Sequence, residues 1–391
     1  MTRSPLPQTL SALVARGAAL VAPRSASELG LVETPVLALA RAALAAPIGS
    51  PRLASLATAS SRVVVLLSDA TRDEPRMDLL AAIREELAHV PDSRITLVVA
   101  GGTHAPRPAA TVIDEASLAR HPIVVHDGAD LGSTVDLGET AEGTRVRVAR
   151  VVAEADVVVS TGRIRPHYFA GFSGGAKSIF PGCAYAIDAR QNHLFKGDPS
   201  ARLGRLDDNR CRLDLEHAAR RVRGATFLLN AVADLDGAYV SAFAGDLVAA
   251  HRAACEAARP LFVAAGPRAR LVVTSDLPPV TDSLYQASKL LPPAGALLER
   301  FGTAVVLAAC PEGIGPLETV NKGIYELGVR HHLPEGHRIR LVSDMAAAVV
   351  AESYATHAES LEAALEEAGF GASLTGVTIA WRAGELIAEA G

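Results

Sequence analysis

Residues 165–193, RPHYFAGFSGGAKSIFPGCAYAIDARQNH, combine two histidines, a lysine and four glycines in a mixture that neither a helix nor a strand needs for its own stability. Gly174 and Gly175 allow the backbone to approach a ligand closely, and Lys177 follows them by two residues. An amine beside exposed backbone N–H groups suits a phosphate or a carbonyl-type group. We therefore interpret the segment as a functional loop that binds a ligand.

Two alternatives remain for the Gly-Gly-Lys sequence. The phosphate-binding P-loop pattern, aligned on Gly171, reads GFSGGAKS and has Ala176 where the pattern requires its second glycine. The strand predicted at 155–160 also ends about ten residues too early for the compact strand, loop and helix of that motif. The structural alternative is a glycine-rich turn whose lysine is solvated.

Titratable side chains also follow two other predicted strands. Asp69 and Arg72 lie in SDATR after one of them, and His104 follows the Gly-Gly turn of GGTH after another. Asp69 would cap the next helix or take part in a site, and Arg72 offers a planar guanidinium suited to a carboxylate. His104 is a candidate catalytic residue, as are His167 and His193 of the central segment. The remaining nine histidines are interpreted as structural or solvated.

A second group of candidates lies in DSLYQASK, on a predicted helix that contains Tyr285, Gln286 and Lys289. Gln286 and Lys289 are three residues apart, so they would share a face and project together into a cleft between domains. A solvated helix face is the alternative. The motif CPEGIG, residues 310–315, follows a buried strand and suits close backbone approach to a ligand, although Cys310 could equally be a small buried apolar residue.

Alternating strand-like and helix-like segments must position these groups. Apolar runs typical of buried parallel strands occur at 63–67, 95–100, 123–126, 146–152, 155–160, 226–232, 271–274, 304–307, 339–342 and 377–381. Helix-like segments lie between them, among them 77–88, 283–291 and 360–369. Ligands of open α/β sheets sit beyond the carboxyl ends of the strands, so the polar clusters should converge on one crevice.

The alternation breaks near residues 262–270 and then restarts, and a chain of 391 residues is long enough for two domains. We predict an α/β protein with two α/β domains, mainly parallel sheets and an active-site cleft between the domains. The N-terminal domain, residues 1–264, would carry the central loop. The C-terminal domain, residues 265–391, would close the cleft.

Composition excludes several classes of function. A formal net charge of -5 without any Lys/Arg run argues against a nucleic-acid surface. No run reaches the roughly 18 uncharged apolar residues that span a bilayer, and the N-terminus lacks a signal-peptide core with a cleavage site. The four cysteines show no metal-binding spacing. These features predict a reduced, soluble, cytoplasmic protein without nucleic-acid or membrane partners, and they leave homo-oligomer formation open.

Taken as a set, these motifs resemble those of the lactate racemase family, whose members carry a nickel-pincer nucleotide. The matching residues follow the family's order and are SDATR (68–72), GGTH (101–104), PHYFAGFSGGAKSIFPG (166–182), NH (192–193), YQASK (285–289) and EGIG (312–315). The long central motif is specific, whereas the short motifs carry weight only together.

The resemblance implies a cofactor. In the family, two α/β domains enclose a pyridinium mononucleotide with two sulfur groups, one of which is joined to a lysine as a thioamide. Nickel is held by both sulfurs, by ring C4 and by a histidine. Lys177 would be the attachment point and His193 the nickel ligand, with the Gly-Gly turn beside the cofactor and Asp69 and Tyr285 supporting it. Cofactor-assembly enzymes would be partners for maturation.

The resemblance also implies roles toward a 2-hydroxy acid substrate. His104 and His167 would be the acid–base pair on opposite faces of the substrate. Its carboxylate would be held by Arg72, Gln286 and Lys289.

The implied function is that of a racemase or epimerase of a 2-hydroxy acid such as lactate, malate or a sugar acid. Plain deprotonation at Cα is opposed by the adjacent carboxylate, whereas hydride removal leaves a planar 2-oxo acid that accepts hydride on its other face. Two opposed histidines exchange the hydroxyl proton near neutral pH, and the cofactor supplies the hydride chemistry. The alternative is a cofactor-free homologue that binds a nucleotide or phosphate without racemase activity.

Two residues depart from the family's pattern. Ala105 follows the histidine of GTH, where an arginine is common, and Arg165 precedes Pro166, where an acidic residue is frequent. One cation is lost and another is gained near the catalytic histidines. We hypothesise that Arg165 faces the pocket and favours a second carboxylate or a polar substituent on the substrate.

Overall fold

The computed structural model describes residues 6–391, and the strands of this part of the chain form two six-stranded sheets and three two-stranded ones. In chain order the strands are β1 (Ala19–Val21), β2 (Val63–Ser68), β3 (Ile95–Ala100), β4 (Ile123–Val125), β5 (Thr134–Glu139), β6 (Arg145–Ala149), β7 (Val157–Ile164), β8 (Pro166–His167), β9 (Gly171–Phe172), β10 (Ala225–Ala233), β11 (Tyr239–Gly245), β12 (Val263–Gly266), β13 (Ala269–Ser275), β14 (Leu298–Leu307), β15 (Arg338–Val342), β16 (Thr356–Ala358), β17 (Val377–Trp381) and β18 (Ile387–Ala390).

The α-helices of the same residues lie between these strands. They are α1 (Gln8–Ala15), α2 (Val36–Ala45), α3 (Leu53–Leu56), α4 (Arg76–Glu86), α5 (Glu115–Arg120), α6 (Arg150–Ala153), α7 (Ala186–His193), α8 (Arg210–Ala219), α9 (Ala249–Phe262), α10 (Leu284–Ala287), α11 (Leu291–Leu297), α12 (Ala347–Val350) and α13 (Leu361–Glu367). A π-helix covers Thr319–Val329. Among the described residues, none of the helices is both long and apolar enough to cross a membrane.

The first sheet has the strand order β11-β10-β7-β2-β3-β4, in which only β11 is antiparallel to its neighbour. Its two faces are buried in two separate hydrophobic clusters, so that Val64 and Leu66 pack on one side and Val63 and Val65 on the other. All eight residues of β7, between β10 and β2, are buried. Continuous apolar runs are therefore required here, because a strand covered on both faces has no solvated side.

The second sheet has the order β1-β17-β13-β14-β15-β16, and every neighbouring pair in it is parallel. The prediction of an α/β protein with mainly parallel sheets is confirmed. The predicted division into two domains with a cleft between them stays a prediction.

Two of the predicted segments are each divided into two elements in the structure. The run 146–152 was expected to be one strand, but β6 ends at Ala149 and α6 begins at Arg150, and β6 pairs antiparallel with β5 outside both large sheets. The predicted helix 283–291 is short, because α10 ends at Ala287 and a 3-10 turn separates it from α11. Pro292 and Pro293 occupy the first turn of α11, where their missing N–H groups cost nothing.

The N-terminal segment also departs from the predicted division at residue 264. Strand β1 pairs with β17 and so forms an edge of the second sheet. Helix α1 packs against the same sheet, since Leu10 and Leu13 are buried in the same cluster as Val273 and Trp381. Hydrophobic pattern alone does not reveal which sheet a short edge strand joins.

Substituting Leu13 by Ala tests this placement. Leu13 is fully buried against the second sheet, so we expect Leu13→Ala to lower the free energy of unfolding by about 2 to 5 kcal/mol. Trp381 is the chain's single tryptophan and lies in the same cluster, so its fluorescence during urea unfolding reports the change. Leu20→Ala, at a site 41% exposed, is the control and should shift the transition far less. If the urea midpoint reported by Trp381 fluorescence were the same in Leu13→Ala as in the wild type, the placement of α1 would be wrong.

Candidate active site

The carboxyl ends of three parallel strands of the first sheet bring the predicted site residues to one edge. Asp69 directly follows β2, the GGTH loop follows β3, and the β8–β9 hairpin follows β7. The GGTH loop is hydrogen-bonded to the chain beyond this hairpin, since Gly102 N–H donates to the carbonyl of Gly182 at 2.9 Å. The expected convergence at the carboxyl edge is therefore observed for these loops.

His104 and Asp69 form a hydrogen-bonded pair. The His104 Nδ1 lies 2.7 Å from Asp69 Oδ2, and the other carboxylate oxygen accepts from the N–H and the hydroxyl of Thr71 at 3.1 and 2.5 Å. Burial by itself would raise the pKa of Asp69, but the hydrogen bonds from His104 and Thr71 outweigh it and lower this pKa to about 2. The ionised carboxylate holds the proton on Nδ1 and leaves Nε2 of His104 with its lone pair.

The structure rules out one of the two interpretations of Asp69. Asp69 is not a helix cap, because α4 begins at Arg76 and its N-cap residue is Pro75. The Asp69 side chain instead folds back on its own loop and on His104.

His167 has the opposite arrangement of hydrogen bonds. Its Nδ1 accepts from the backbone N–H of Ala170 at 3.2 Å, and its Nε2 lies 3.5 Å from the Nζ of Lys177. Burial lowers the pKa of His167 well below its usual value, and the cations Lys177 and Arg72 lower it further. The neutral ring therefore carries its proton on Nε2 and presents a donor there.

Lys177 and His193 lie in the same group. Burial, with the cations Arg212 and Arg72 beside it, lowers the pKa of Lys177 to about 7. Burial, followed by the charge of Lys177, lowers the pKa of His193 to about 3. Both side chains therefore have a free lone pair near neutral pH or slightly above it.

Phe169 lies among the three groups. Its ring centroid is 4.5 Å from that of His167, 5.2 Å from that of His193 and 5.6 Å from the Nζ of Lys177. The residues 167, 177 and 193, which are far apart in the sequence, therefore surround one aromatic ring. Sequence reasoning did not single out Phe169.

Residues of the second half of the chain reach the same group. The Lys289 Nζ donates to Gln286 Oε1 at 2.5 Å, as expected for two residues on one face. Burial lowers the pKa of Lys289 to about 8, with a further lowering by Arg72 that Glu385 opposes. Lys289 in turn contributes to the lowered pKa of His167, so the two halves of the chain interact electrostatically at this point.

Tyr285 lies on α10, the helix that follows β13, and Cys310 lies in the loop that follows β14. Tyr285 packs against Gly315 of the EGIG motif, where an added Cβ would come within 3.1 Å of the tyrosine Cβ. Burial raises the pKa of Tyr168, and the nearby Tyr285 raises it further. Burial raises the pKa of the Cys310 thiol to about 11, which agrees with Cys310 as a small buried residue.

Arg165 does not offer a free cation. Its guanidinium pairs with Glu385 at 2.8 Å and with Asp73 at 3.4 Å. Two carboxylates compensate its charge, which argues against the hypothesis that Arg165 binds a second carboxylate of the substrate.

The Gly174–Gly175 turn is held by three side chains that sequence reasoning missed. Asn230 Oδ1 accepts from Gly175 N–H at 2.9 Å, Ser160 Oγ donates to the Gly175 carbonyl at 2.8 Å, and His251 Nε2 donates to the Ser173 carbonyl at 2.8 Å. We call Ser160, Asn230 and His251 the loop anchors.

Both glycines are required by this packing. They have φ of +70° and +64°, and an added Cβ would overlap Asn230 Oδ1 at Gly174 and come within 2.7 Å of the His251 ring at Gly175. A polar Asn230 inside the apolar strand FLLNAVA is a signal that could have been noticed, whereas His251 on α9 has no such signal.

The P-loop interpretation finds no support in the local structure. Residues Gly175–Ser178 form a single 3-10 turn instead of the start of a long helix. A cavity of about 820 Å³ does open on the first sheet between Thr96, His126 and Arg150, but none of the predicted site residues lines it. The group around Phe169 is the better candidate, because the titratable side chains with shifted pKa values meet there.

The hydrogen-bonded carboxylate of Asp69 predicts a pH dependence of stability. A folded-state pKa below the unfolded value stabilises the fold above about pH 4, and this contribution is lost as the pH falls toward 2. We expect Asp69→Asn to be less stable than the wild type at about pH 6, and the difference to shrink by about 2 kcal/mol on acidification. Urea unfolding of both proteins at several pH values measures this. A stability difference between Asp69→Asn and the wild type that does not change with pH would contradict the pairing. Asp127→Asn, at an exposed loop position, is the control.

Comparison with known proteins agrees with this geometry. Residues 24–204 match the family model of the lactate racemase N-terminal domain. The chain is 34% identical over 276 residues to the lactate racemase of Lactiplantibacillus plantarum, covering 69% of this chain and 65% of that protein. It is 32% identical over 288 residues to the lactate racemase of Thermoanaerobacterium thermosaccharolyticum, covering 71% of this chain and 66% of the relative.

The similarity to solved structures covers more of the chain than the sequence matches do. The lactate racemase apoprotein from T. thermosaccharolyticum superposes with a TM-score of 0.80 at 25% identity, covering 95% of this chain and 94% of that one. A Thermotoga maritima protein from a structural genomics consortium shares the fold at 14% identity, with a TM-score of 0.61 over 91% of this chain and 97% of its own. The sequence matches thus span slightly less than two thirds of the curated relatives, while the fold extends over nearly the whole chain. On this evidence the chain belongs to the lactate racemase family.

Proposed function

We propose that the protein is an isomerase, a racemase or epimerase of a 2-hydroxy acid that works with a nickel-pincer nucleotide attached at Lys177. The observation that carries this proposal is the meeting of His167, Lys177 and His193 around Phe169. Each of the three has a lowered pKa, so each is neutral or readily neutralised at physiological pH. The names of the relatives support the same reaction class.

The residues present fit the cofactor. An amine with a pKa of about 7 is available to form an amide-type bond, and an imidazole with a pKa of about 3 is available as a nickel ligand. Lys177 would carry the group, His193 would bind the metal, and Gly174, Gly175 and Tyr285 would lie beside it. When bound, the group supplies a hydride acceptor for the substrate Cα.

Arg72 and Lys289 are the proposed ligands of the substrate carboxylate. Both are cations close to His167, and their proximity lowers the pKa of Lys289. A bound carboxylate would relieve this repulsion, so the site favours an anionic substrate. Gln286 holds the Lys289 ammonium through its amide oxygen.

The two histidines have complementary hydrogen-bonding states for proton transfer. His104 accepts the hydroxyl proton of the substrate at Nε2, and Asp69 stabilises the resulting imidazolium. His167 presents an Nε2–H that donates a hydrogen bond to the oxygen when the planar 2-oxo acid is reduced on its other face, and the proton taken up by His104 returns to that oxygen. We therefore assign Asp69 as a positioning residue for His104 and not as a cofactor ligand.

Mass spectrometry and nickel analysis of protein made together with the cofactor-assembly enzymes test the proposal. We expect a covalent adduct that is lost in Lys177→Ala, and nickel that is lost in His193→Ala while the adduct stays. Lys322→Ala is the matched control, because Lys322 is exposed and pairs with Glu318, and it should keep both the adduct and the nickel. Unmodified, metal-free protein that still interconverts the two enantiomers of a 2-hydroxy acid would refute the mechanism.

A second measurement concerns the substrate side chain. Because Glu385 and Asp73 already occupy the Arg165 guanidinium, we expect Arg165→Ala to leave the ratio of kcat/KM for malate and lactate within about twofold of the wild type. Kinetics with both substrates on cofactor-loaded protein decide this. A ratio that falls tenfold or more would restore the hypothesis of a second carboxylate bound by Arg165, and Arg300→Ala, an exposed pair with Glu335, serves as the control.

A further inference from the structure

Two arginines that follow β2 have contrasting surroundings. Arg72 is exposed, and among residues 6–391 its guanidinium forms no hydrogen bond or ion pair. Arg76, the first residue of α4, is partly buried, and its side chain donates its hydrogen bonds to backbone carbonyls. One guanidinium is therefore free for a ligand near the site, whereas the other is committed to the backbone beside it.

The carbonyls that Arg76 contacts belong to the SDATR loop and to the residues that follow it. Nε donates to the Ser68 carbonyl at 2.8 Å, and Nη1 donates to the Glu74 carbonyl at 3.4 Å. Nη2 donates to the carbonyls of Asp69 and Arg72. A guanidinium is a planar fork with five N–H donors, so one side chain can join carbonyls on different sides of a loop. Arg76 thereby ties the end of β2 to the turn after it.

The charge of Arg76 also acts on the same loop. The Glu74 side chain folds back beneath the loop, where its carboxylate accepts a hydrogen bond from the Ser68 hydroxyl. Burial raises the pKa of Glu74, and the hydrogen bond from Ser68 and the charge of Arg76 oppose this change. Arg76 therefore stabilises the loop through hydrogen bonds to carbonyls and through compensation of a buried carboxylate.

The two residues that share Nη2 are the ones on which the site depends. The Asp69 carboxylate holds Nδ1 of His104 at 2.7 Å. The charge of Arg72 lowers the pKa values of His167 and Lys289, so this side chain acts on groups from both halves of the chain. Because both side chains leave the backbone at carbonyls that Arg76 holds, a shift of the loop would displace them together.

We propose that Arg76 is a positioning residue of the active site, which fixes the backbone of Asp69 and Arg72 and so keeps the base His104 and the carboxylate ligand Arg72 in register. Arg76 does not touch the substrate and acts through these neighbours. The inference rests on the proposed function where it concerns the substrate. The coupling between Arg76 and Asp69 is a property of the apoprotein.

Arg84, near the other end of α4, offers a matched control. Its Nη1 donates to the carbonyls of Leu87 and Val90 at 3.4 and 3.3 Å, and its Nη2 pairs with Asp92 at 2.5 Å. Arg84 thus holds the loop that leads into β3, which contains none of the site residues. Its removal reports what the loss of hydrogen bonds to a loop does by itself.

A double-mutant cycle in the apoprotein measures the coupling of Arg76 to Asp69. Urea unfolding at about pH 6 and about pH 3 gives the stability difference between each parent and its Asp69→Asn variant. In the wild type this difference shrinks on acidification, because the lowered pKa of Asp69 stabilises the fold only above about pH 4. We expect the shrinkage to be at least about twofold smaller in Arg76→Gln, since a displaced Asp69 loses the hydrogen bond from His104, and unchanged in Arg84→Gln.

Kinetics of cofactor-loaded protein with the two enantiomers of lactate measure the effect on the substrate. We expect Arg76→Gln to raise KM at least about fivefold through Arg72 and to lower kcat at least about fivefold through His104. Arg76→Lys keeps the charge beside Glu74 but lacks the fork, so it should recover stability while KM stays raised and the Asp69 coupling stays reduced. Arg84→Gln should keep both constants within about twofold of the wild type.

The two measurements separate this inference from the proposed function. A wild-type pH dependence of the Asp69 difference in Arg76→Gln, shown to be folded by Trp381 fluorescence, would overturn the inference whatever the activity. If Arg76→Gln does not fold, Arg76→Lys takes its place, and wild-type coupling with wild-type KM in that variant would overturn it equally. Loaded wild-type protein that is inactive toward 2-hydroxy acids would reject the proposed function, while reduced coupling in the apoprotein would still support Arg76 as the residue that positions Asp69.

Discussion

The contact between the Gly174–Gly175 turn and the loop anchors is the constraint on which the site depends. Three elements, β7, β10 and α9, each contribute one side chain that fixes a backbone group of this turn. The turn has left-handed φ values and no room for a Cβ, so it has few alternative conformations. Its rigidity positions Lys177, and through Lys177 the neighbouring His167. The chemistry is thus borne by a loop, but the geometry comes from the sheet and helix behind it.

Electrostatics give the site its second property. Lys177, Lys289 and Arg72 lie close enough to shift one another's pKa values or that of His167, and burial adds to each effect. Asp69, the carboxylate that contacts a site histidine, is committed to His104 and Thr71. The surplus of positive charge disfavours protonated imidazoles and ammonium groups but favours bound anions. The same surplus of positive charge therefore favours the neutral form of the basic side chains and the binding of an anion.

The sequence predicted the parts that follow from hydrophobic runs and from residue type. The strands 95–100 and 377–381 are found at the predicted bounds, and the loops that follow β2, β3 and β7 meet at the expected edge. Relations that depend on long-range packing were missed. Nothing local indicates that β1 joins the second sheet, that His251 holds Ser173, or that Arg165 is neutralised by Glu385, a residue 220 positions away. Such contacts depend on the three-dimensional path of the chain and have no periodic signature.

The path of the chain also determines how the two large sheets are connected. Because β1 lies in the second sheet while α2 packs on the first, the backbone passes from one sheet to the other between Val21 and Val36, and it returns between Phe262 and Ala269. Residues 36–262 are therefore an insertion between the two parts of the chain that build the second sheet, and the backbone connects the two large sheets twice.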